Sequence, residues 1–533
     1  MSGGQEEEVK AGTRAIHLIA DLRHRVRAAS PRWREPLLPA VLSVASAALL
    51  VRFGRVGFYY HDLSIIWDGA WRVLNGQIPD VDFAAPHAFA AIYQQAILFR
   101  LLGVSFATYL LHAILLNTVA LFLGWRILRP AGLGIAFLGT LITSLWFFLP
   151  PGAPYIDTVA FFWCLVAVAC VYWRGAPETV GRSGLLLAGL ATGLAILTKQ
   201  NIGVSAAIGI GAVILLVPSE GRGLRCLVFA AGVAVPVVSW VAYVGVHGGL
   251  DDLIHYSVLL PMSDRSPGIA SQLGYRLLNA LHVGLPRQID VVAWAREALY
   301  VGLGLLLVAR FASGPRALEG KLALLALVLF GVQDVARVTS HNEWPLYWVF
   351  AGLIASVMAF AFIPGRYPRF ASLGVISLWL VGLGYQVSRT RLVMDIPVAR
   401  AMAQVQWPAL RGLIMEEDEQ ESLDQVLEFV TSQIPAENPI LVSGYDTIIY
   451  SLAGRQSTHP LLFPMPGWVD DPADGGRSDG KLLALLESTP DLWVISRTDS
   501  FGAYLPRSTT YFQEHFRVVA DAGDLIDVYR RVR

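Results

Sequence analysis

The chain has 533 residues, with 41 Lys+Arg against 41 Asp+Glu, so its formal net charge is zero. Only 15% of its residues are charged and 55% are hydrophobic, where a soluble domain carries roughly 25% charged. Over this length, such a deficit excludes a soluble enzyme, a disordered chain and a general nucleic-acid binder, and leaves a polytopic α-helical membrane protein.

Residues 1–35 are polar and rich in arginine (Arg14, Arg23, Arg25, Arg27, Arg32, Arg34). No small-residue cleavage site follows the first apolar run, so this reads as a cytoplasmic tail, not a signal peptide. Apolar runs able to span follow near 36–53, 105–128, 131–149, 155–173, 184–198, 202–218, 226–246, 297–311, 321–338, 344–363 and 370–388, about eleven in all. The segment 86–103 is apolar but holds Gln94, Gln95 and Arg100. If it does not span, Arg126/Arg129, Arg174/Arg182, Arg222/Arg225, Arg310/Arg316/Lys321 and Arg366/Arg369 all fall inside, as the positive-inside rule requires. It is therefore read as interfacial or re-entrant.

This topology makes residues 36–388 a membrane module with two long outer loops, 54–104 and 247–296. Residues 389–533 form an outer α/β domain. Their composition turns acidic, with 13 basic and 21 acidic residues. The segments ENPILVSGYD, PDLWVISR and DLIDVYRRV read as strands and DTIIYSLAGR as a short helix. The three cysteines, Cys164, Cys170 and Cys226, lie in apolar runs without metal or disulfide spacing.

The first outer loop concentrates polar and aromatic residues: FYYHDLSIIWDGAWRVLNGQIPDVDFAAPH. Within it, 62–75 has the spacing of a surface-lying amphipathic helix, with Asp68 and Arg72 as an i,i+4 pair and a stop at Asn75-Gly76. Asp62 is either the N-cap of that helix or a general base at the membrane surface. Asp82 is either a second site carboxylate or a turn residue. Lys199, in ATGLAILTKQNIG, sits between two apolar helices. Its ammonium suits a lipid phosphate, and its other reading is a snorkelling lysine. Asp157 opens a span at PPGAPYID, as a cap or facing a cavity. His341 and Glu343, in HNEWPLYW, either line the same cavity or stand beside an aromatic belt.

The pattern HD-x11-LNGQIPDVDF-xx-PH, followed by a helix ending LFRLLGVS, resembles the first lumenal loop of GT-C glycosyltransferases. The likeness is to bacterial members grouped with protein mannosyltransferases and lipid A aminoarabinose transferases. Asp80 stands where tyrosine is commoner, His87 where glycine is, and Leu63 where some members have a second acid. ATGLAILTKQNIG and ILVSGYDTIIYSLAGRQST also resemble segments of such transferases. The resemblance implies an inverting transferase using a polyprenyl-phosphate sugar donor and an envelope acceptor, in a bacterial inner membrane with the N-terminus inside. It implies Asp62 as base and Lys199, with Arg265 and Arg276, at the donor phosphate. His61, Arg72, His87, Tyr93, Asp157, Gln200, His341 and Glu343 are candidate substrate contacts. No cofactor is required by any spacing, and the aspartates of the first loop leave a divalent cation open. The rival readings are a multi-pass transporter or flippase, and a non-catalytic subunit of a polysaccharide assembly complex.

Overall fold

A computed structural model describes residues 34–55, 60–148, 152–172, 177–217, 219–261, 304–314, 316–339, 350, 353–354, 356–357, 402–444, 446–462, 475–497, 505–523 and 525–532. Helices occupy most of the apolar runs. They are α1 (Arg34–Phe53), α4 (Phe106–Leu128), α5 (Leu133–Trp146), α6 (Ile156–Tyr172), α7 (Arg182–Thr198), α8 (Gln200–Leu216) and α9 (Arg222–Val246). Further on come α11 (Gly304–Ser313) and α12 (Leu318–Thr339). Between α1 and α4 run α2 (Tyr60–Leu74) and α3 (Phe89–Leu102), and α10 (Leu250–Ile254) continues into a π turn at His255–Leu259. The runs at 344–363 and 370–388 lie mostly or wholly outside the described residues.

Two helical stretches, Phe106–Ala131 and Arg222–Val246, are long and apolar enough to cross a membrane by length and composition. α9 leaves Leu227 67%, Val238 61% and Val246 85% exposed. A row of bare aliphatic side chains on that scale is suited to lipid contact. α3 and α5 have 14 residues each, about 21 Å at 1.5 Å per residue.

The local chemistry of the boundaries is readable. Ser105, in extended conformation, caps α4 by accepting the Thr108 N–H at 3.2 Å, satisfying one of the free donors of the first turn. α7 and α8 are joined by Lys199 alone, whose backbone is extended (φ −153°, ψ 112°). The connection works because Gly203 packs against the Ile196 backbone, where a Cβ would fall 2.2 Å from the Ile196 nitrogen. α7 crosses α9 just as closely. A Cβ on Gly189 would lie 2.2 Å from the Phe229 carbonyl oxygen and 2.8 Å from Gly232 Cα. Small residues facing each other let helix backbones approach in a bilayer, where packing drives association. Gly189→Val is expected to force α7 and α9 apart and cost about 1–3 kcal/mol. A melting temperature in detergent equal to that of the wild type refutes the expected close crossing.

At the other end of α7, Arg225 donates to the carbonyls of Pro177 (2.6 Å) and Val180 (3.0 Å), and Lys321 pairs with Glu178. These basic residues, read as inside, are thus engaged with the loop between α6 and α7.

The tail contains a short antiparallel pair, β1 (Met402–Gln404) with β2 (Ile414–Glu416), then α13 (Glu417–Ser432). A four-stranded sheet follows, in the order β3 (Ile440–Ser443), β4 (Trp493–Arg497), β6 (Ile526–Arg531), β5 (Phe516–Ala522). β3 and β4 are parallel and the other pairs antiparallel. Helices α14 (Ile448–Leu452), α15 (Arg477–Ser488) and α16 (Pro506–His515) connect the strands.

The tail does not stand apart from the membrane module. Ala84 N–H donates to the Pro460 carbonyl (2.8 Å), Leu462 N–H to the Ala84 carbonyl (2.9 Å) and Ile414 N–H to the Arg55 carbonyl (2.6 Å). This changes the reading of α2. The helix ends at the Asn75-Gly76 turn, but every residue from Ser64 through Ala70 is buried. α2 is not surface-lying. Its apolar side packs on α3 and α4, with Trp67 edge-on to Phe99 (5.0 Å) and Tyr109 (5.3 Å), and its polar side is covered by residues 451–459 of the tail.

Candidate active site at the helix break

Lys199, the one residue between α7 and α8, forms an ion pair with Asp157 in the first turn of α6. The Asp157 side chain is 1% exposed and that of Lys199 19%. The carboxylate holds the ammonium in place, and an ammonium has three N–H donors. The site therefore presents an oriented cation at the end of two apolar helices.

The loop from Pro79 to Ala88 runs alongside. Gln200 donates to the Pro86 carbonyl at 2.7 Å and Ser257 to the same oxygen at 3.2 Å. The Ala88 N–H donates to the Thr198 carbonyl at 2.9 Å. His87, between these anchors, is partly buried, and its ring is pushed down to about 3 by burial and then by the Lys199 charge. The ring is neutral at physiological pH.

Both ends of this loop are in the left-handed region without being glycine: Asp80 has φ 63° and Ala88 φ 77°. Such backbone is costly and persists only where the surroundings enforce it. At Asp80 the enforcement is visible. Its carboxyl accepts the Ala85 N–H at 3.0 Å, and a Cβ on Gly249 would lie 2.2 Å from its carbonyl oxygen. Burial pushes the Asp80 carboxyl up to about 8; the Ala85 N–H opposes this, while nearby Asp252 adds to it and Lys481 opposes it. Because the folded protein holds this proton more tightly than the unfolded chain, the associated stabilisation is complete below the ordinary value of 3.8 and is lost as pH rises through about 8. Asp80→Asn, which keeps the acceptor for Ala85, is expected to flatten that part of the pH dependence. The check is the melting temperature of wild type and variant at pH 5 and pH 9, and a variant whose melting temperature falls between them as far as that of the wild type overturns it.

The remaining sequence candidates are dispersed. Asp62 and His61 lie in the first turn of α2, within the helix and not at its cap position; their side chains lie outside the described residues. Arg265, Arg276, His341 and Glu343 also lie outside them. Tyr93, on α3, packs edge-on to Trp240 of α9 at 5.7 Å. Asp82 is exposed and closes a turn by accepting the Ile78 N–H at 2.7 Å. Arg72 is fully buried, its Nε donating to Asp68 (2.8 Å) and its Nη1 to the His459 carbonyl of the tail (2.7 Å). The structure adds the Pro86 carbonyl, Ser257, Asp80 and Asp252 to the neighbourhood of the loop. Among the described residues, no group of three or more His, Cys, Asp or Glu is placed to hold a metal ion.

No family model and no curated protein matches the chain. Among solved structures, the chain is similar to ArnT from Cupriavidus metallidurans bound to undecaprenyl phosphate, with TM-score 0.52 and 13% identity, covering 92% of this chain and 97% of that one. The same ArnT in the apo state aligns with TM-score 0.43, at the same identity and coverage. The first of these likenesses shows that the present chain shares the ArnT fold.

Proposed function

We propose that this chain is a multi-pass membrane glycosyltransferase of the GT-C type, transferring a sugar with inversion from a polyprenyl-phosphate donor to an envelope acceptor at the outer face of a bacterial inner membrane. The observation that carries the reading is the fold shared with an ArnT bound to undecaprenyl phosphate, over 92% of this chain. The acceptor oxygen attacks the anomeric carbon as the bond from that carbon to the phosphate oxygen breaks. Its proton passes to Asp62, and the bonding pair leaves with the polyprenyl phosphate. A developing phosphate charge is best met by a fixed cation in a water-poor site, and Lys199, held by Asp157, is suited to that role. Arg265 and Arg276 would add a second cation. His87, Gln200, Tyr93, His61, Asp157, His341 and Glu343 are proposed substrate contacts. In this reading the N-terminus is inside and residues 389–533 are outside.

The test is release of polyprenyl phosphate by purified full-length protein, from a panel of undecaprenyl-phosphate-linked pentoses and hexoses. Lys199→Gln removes one charged contact of about 1.5–3 kcal/mol, so kcat/KM for the donor is expected to fall roughly 10- to 150-fold by that measure. Unchanged kcat/KM removes Lys199 from the phosphate site. A wild type that turns over none of the donors defeats the transferase reading itself.

A further inference from the structure

We infer that the tail orients the helix carrying Asp62, with the Ser457 hydroxyl as the positioning group acting through Asp68. The inference rests on the reading of Asp62 as the base.

Asp68 and Arg72 form a fully buried ion pair on α2. Two charges withdrawn from water cost several kcal/mol each, and their attraction repays this only when the remaining donors and acceptors are also met. Here the tail meets most of them. Asp68 uses one oxygen for Arg72 Nε (2.8 Å) and the other for the Ser457 hydroxyl (2.6 Å), and Arg72 Nη1 reaches the His459 carbonyl (2.7 Å). Arg72 Nη2 has no hydrogen-bond partner among the described residues, and the guanidinium lies over the Phe83 ring, 4.8 Å from its centroid. The His459 ring is pushed down to about 3 by burial and then by the Arg72 charge, so it adds no second cation.

The contact is spread along the helix. Trp67 Nε1 donates to the Ser451 hydroxyl at 2.7 Å, Trp71 Nε1 to the Arg455 carbonyl at 2.8 Å, and Gln77, just beyond the helix, to the Ser457 carbonyl at 3.1 Å. The tail segment is itself anchored. Thr458 donates to the Ile440 carbonyl of β3 at 2.6 Å, and Arg455 donates to the carbonyls of Ile434 (2.6 Å) and Pro435 (2.8 Å), just past α13. A buried pair satisfied in only one register fixes that register. Asp68 lies six residues beyond Asp62, about 9 Å along the axis and roughly 120° around it. Holding the Asp68 face therefore sets where the first turn of a rigid helix points.

A second seam joins the tail to the membrane module, where Asp252 takes Arg477 (2.6 Å) and Lys481. It fastens the tail without bonding to α2. Attachment of the tail and orientation of α2 are thus separable, and Ser457 belongs to the second.

The experiment compares full-length wild type, Ser457→Ala and Ser457→Thr in detergent, reading kcat, donor KM and hydrogen exchange across residues 60–74. Misplacing a reacting group by about 1 Å can cost ~10²-fold. Ser457→Ala is expected to lower kcat at least ~10-fold on that basis, with donor KM unchanged and faster exchange at residues 60–66. Ser457→Thr, which keeps the hydroxyl, is expected to restore both. If the Ser457→Thr chain does not fold, exchange at 60–66 in Ser457→Ala decides. Unchanged exchange there, or a loss of activity that only follows loss of folded protein, overturns the inference. If the wild type transfers no sugar, the transferase reading fails, and exchange at 60–66 still decides whether Ser457 orients the helix.

Discussion

Asp62→Asn is expected to lower kcat by ~10²–10⁴-fold, the usual contribution of a positioned general base, while leaving undecaprenyl phosphate binding unchanged. The amide keeps the shape of the carboxylate and cannot accept the acceptor's proton. Asp62 lies in the first turn of α2. The two readouts are turnover of the labelled donor and direct binding of undecaprenyl phosphate. Equal transfer by variant and wild type removes Asp62 from the mechanism. Equal loss of transfer and of binding assigns it to the donor site.

Arg72→Met is expected to destabilise the protein by about 3–5 kcal/mol, the cost of leaving one charge of a buried pair uncompensated. Asp68 is 0% exposed and would keep only the Ser457 hydroxyl. Adding Asp68→Asn to that variant removes the orphaned charge, so the double variant is expected to recover much of the loss. The measurement is the melting temperature in detergent for both single variants and the double. If Arg72→Met and the double variant melt together, the buried charge is not what the pair contributes. Because the pair joins α2 to the tail, Arg72→Met is also expected to make residues 451–462 more accessible to protease.

Much of the membrane module is legible without coordinates because lipid imposes a local rule. A helix that satisfies its own backbone must be apolar over its length, and that leaves a continuous record in composition. The same holds for short-range chemistry. Asp68 and Arg72 are four residues apart on one helix, and Lys199 interrupts two apolar runs, so each is visible by spacing. The strands at Ile440–Ser443, Trp493–Arg497 and Ile526–Arg531 follow from short β-branched and aromatic runs. β5, Phe516–Ala522, is harder to read because it is an edge strand with several exposed residues in succession, without clean alternation.

The sequence by itself determined the solvent of this protein, the helical character of its module, the acidic tail, and the residue types capable of phosphate and proton chemistry. Only the tertiary structure decided how those residues are used. Lys199 meets Asp157 from 42 positions away, and Ser457 meets Asp68 from 389 positions away. Nothing at either position announces the other, because a hydroxyl or a carboxylate carries no local signal of its distant partner. The polar face of α2 reads as a water-facing surface by periodicity, and it is buried because the tail supplies hydrogen bonds that water would otherwise have supplied. Periodicity records which face of a helix is polar; what satisfies that face is settled only when the chain folds back on itself.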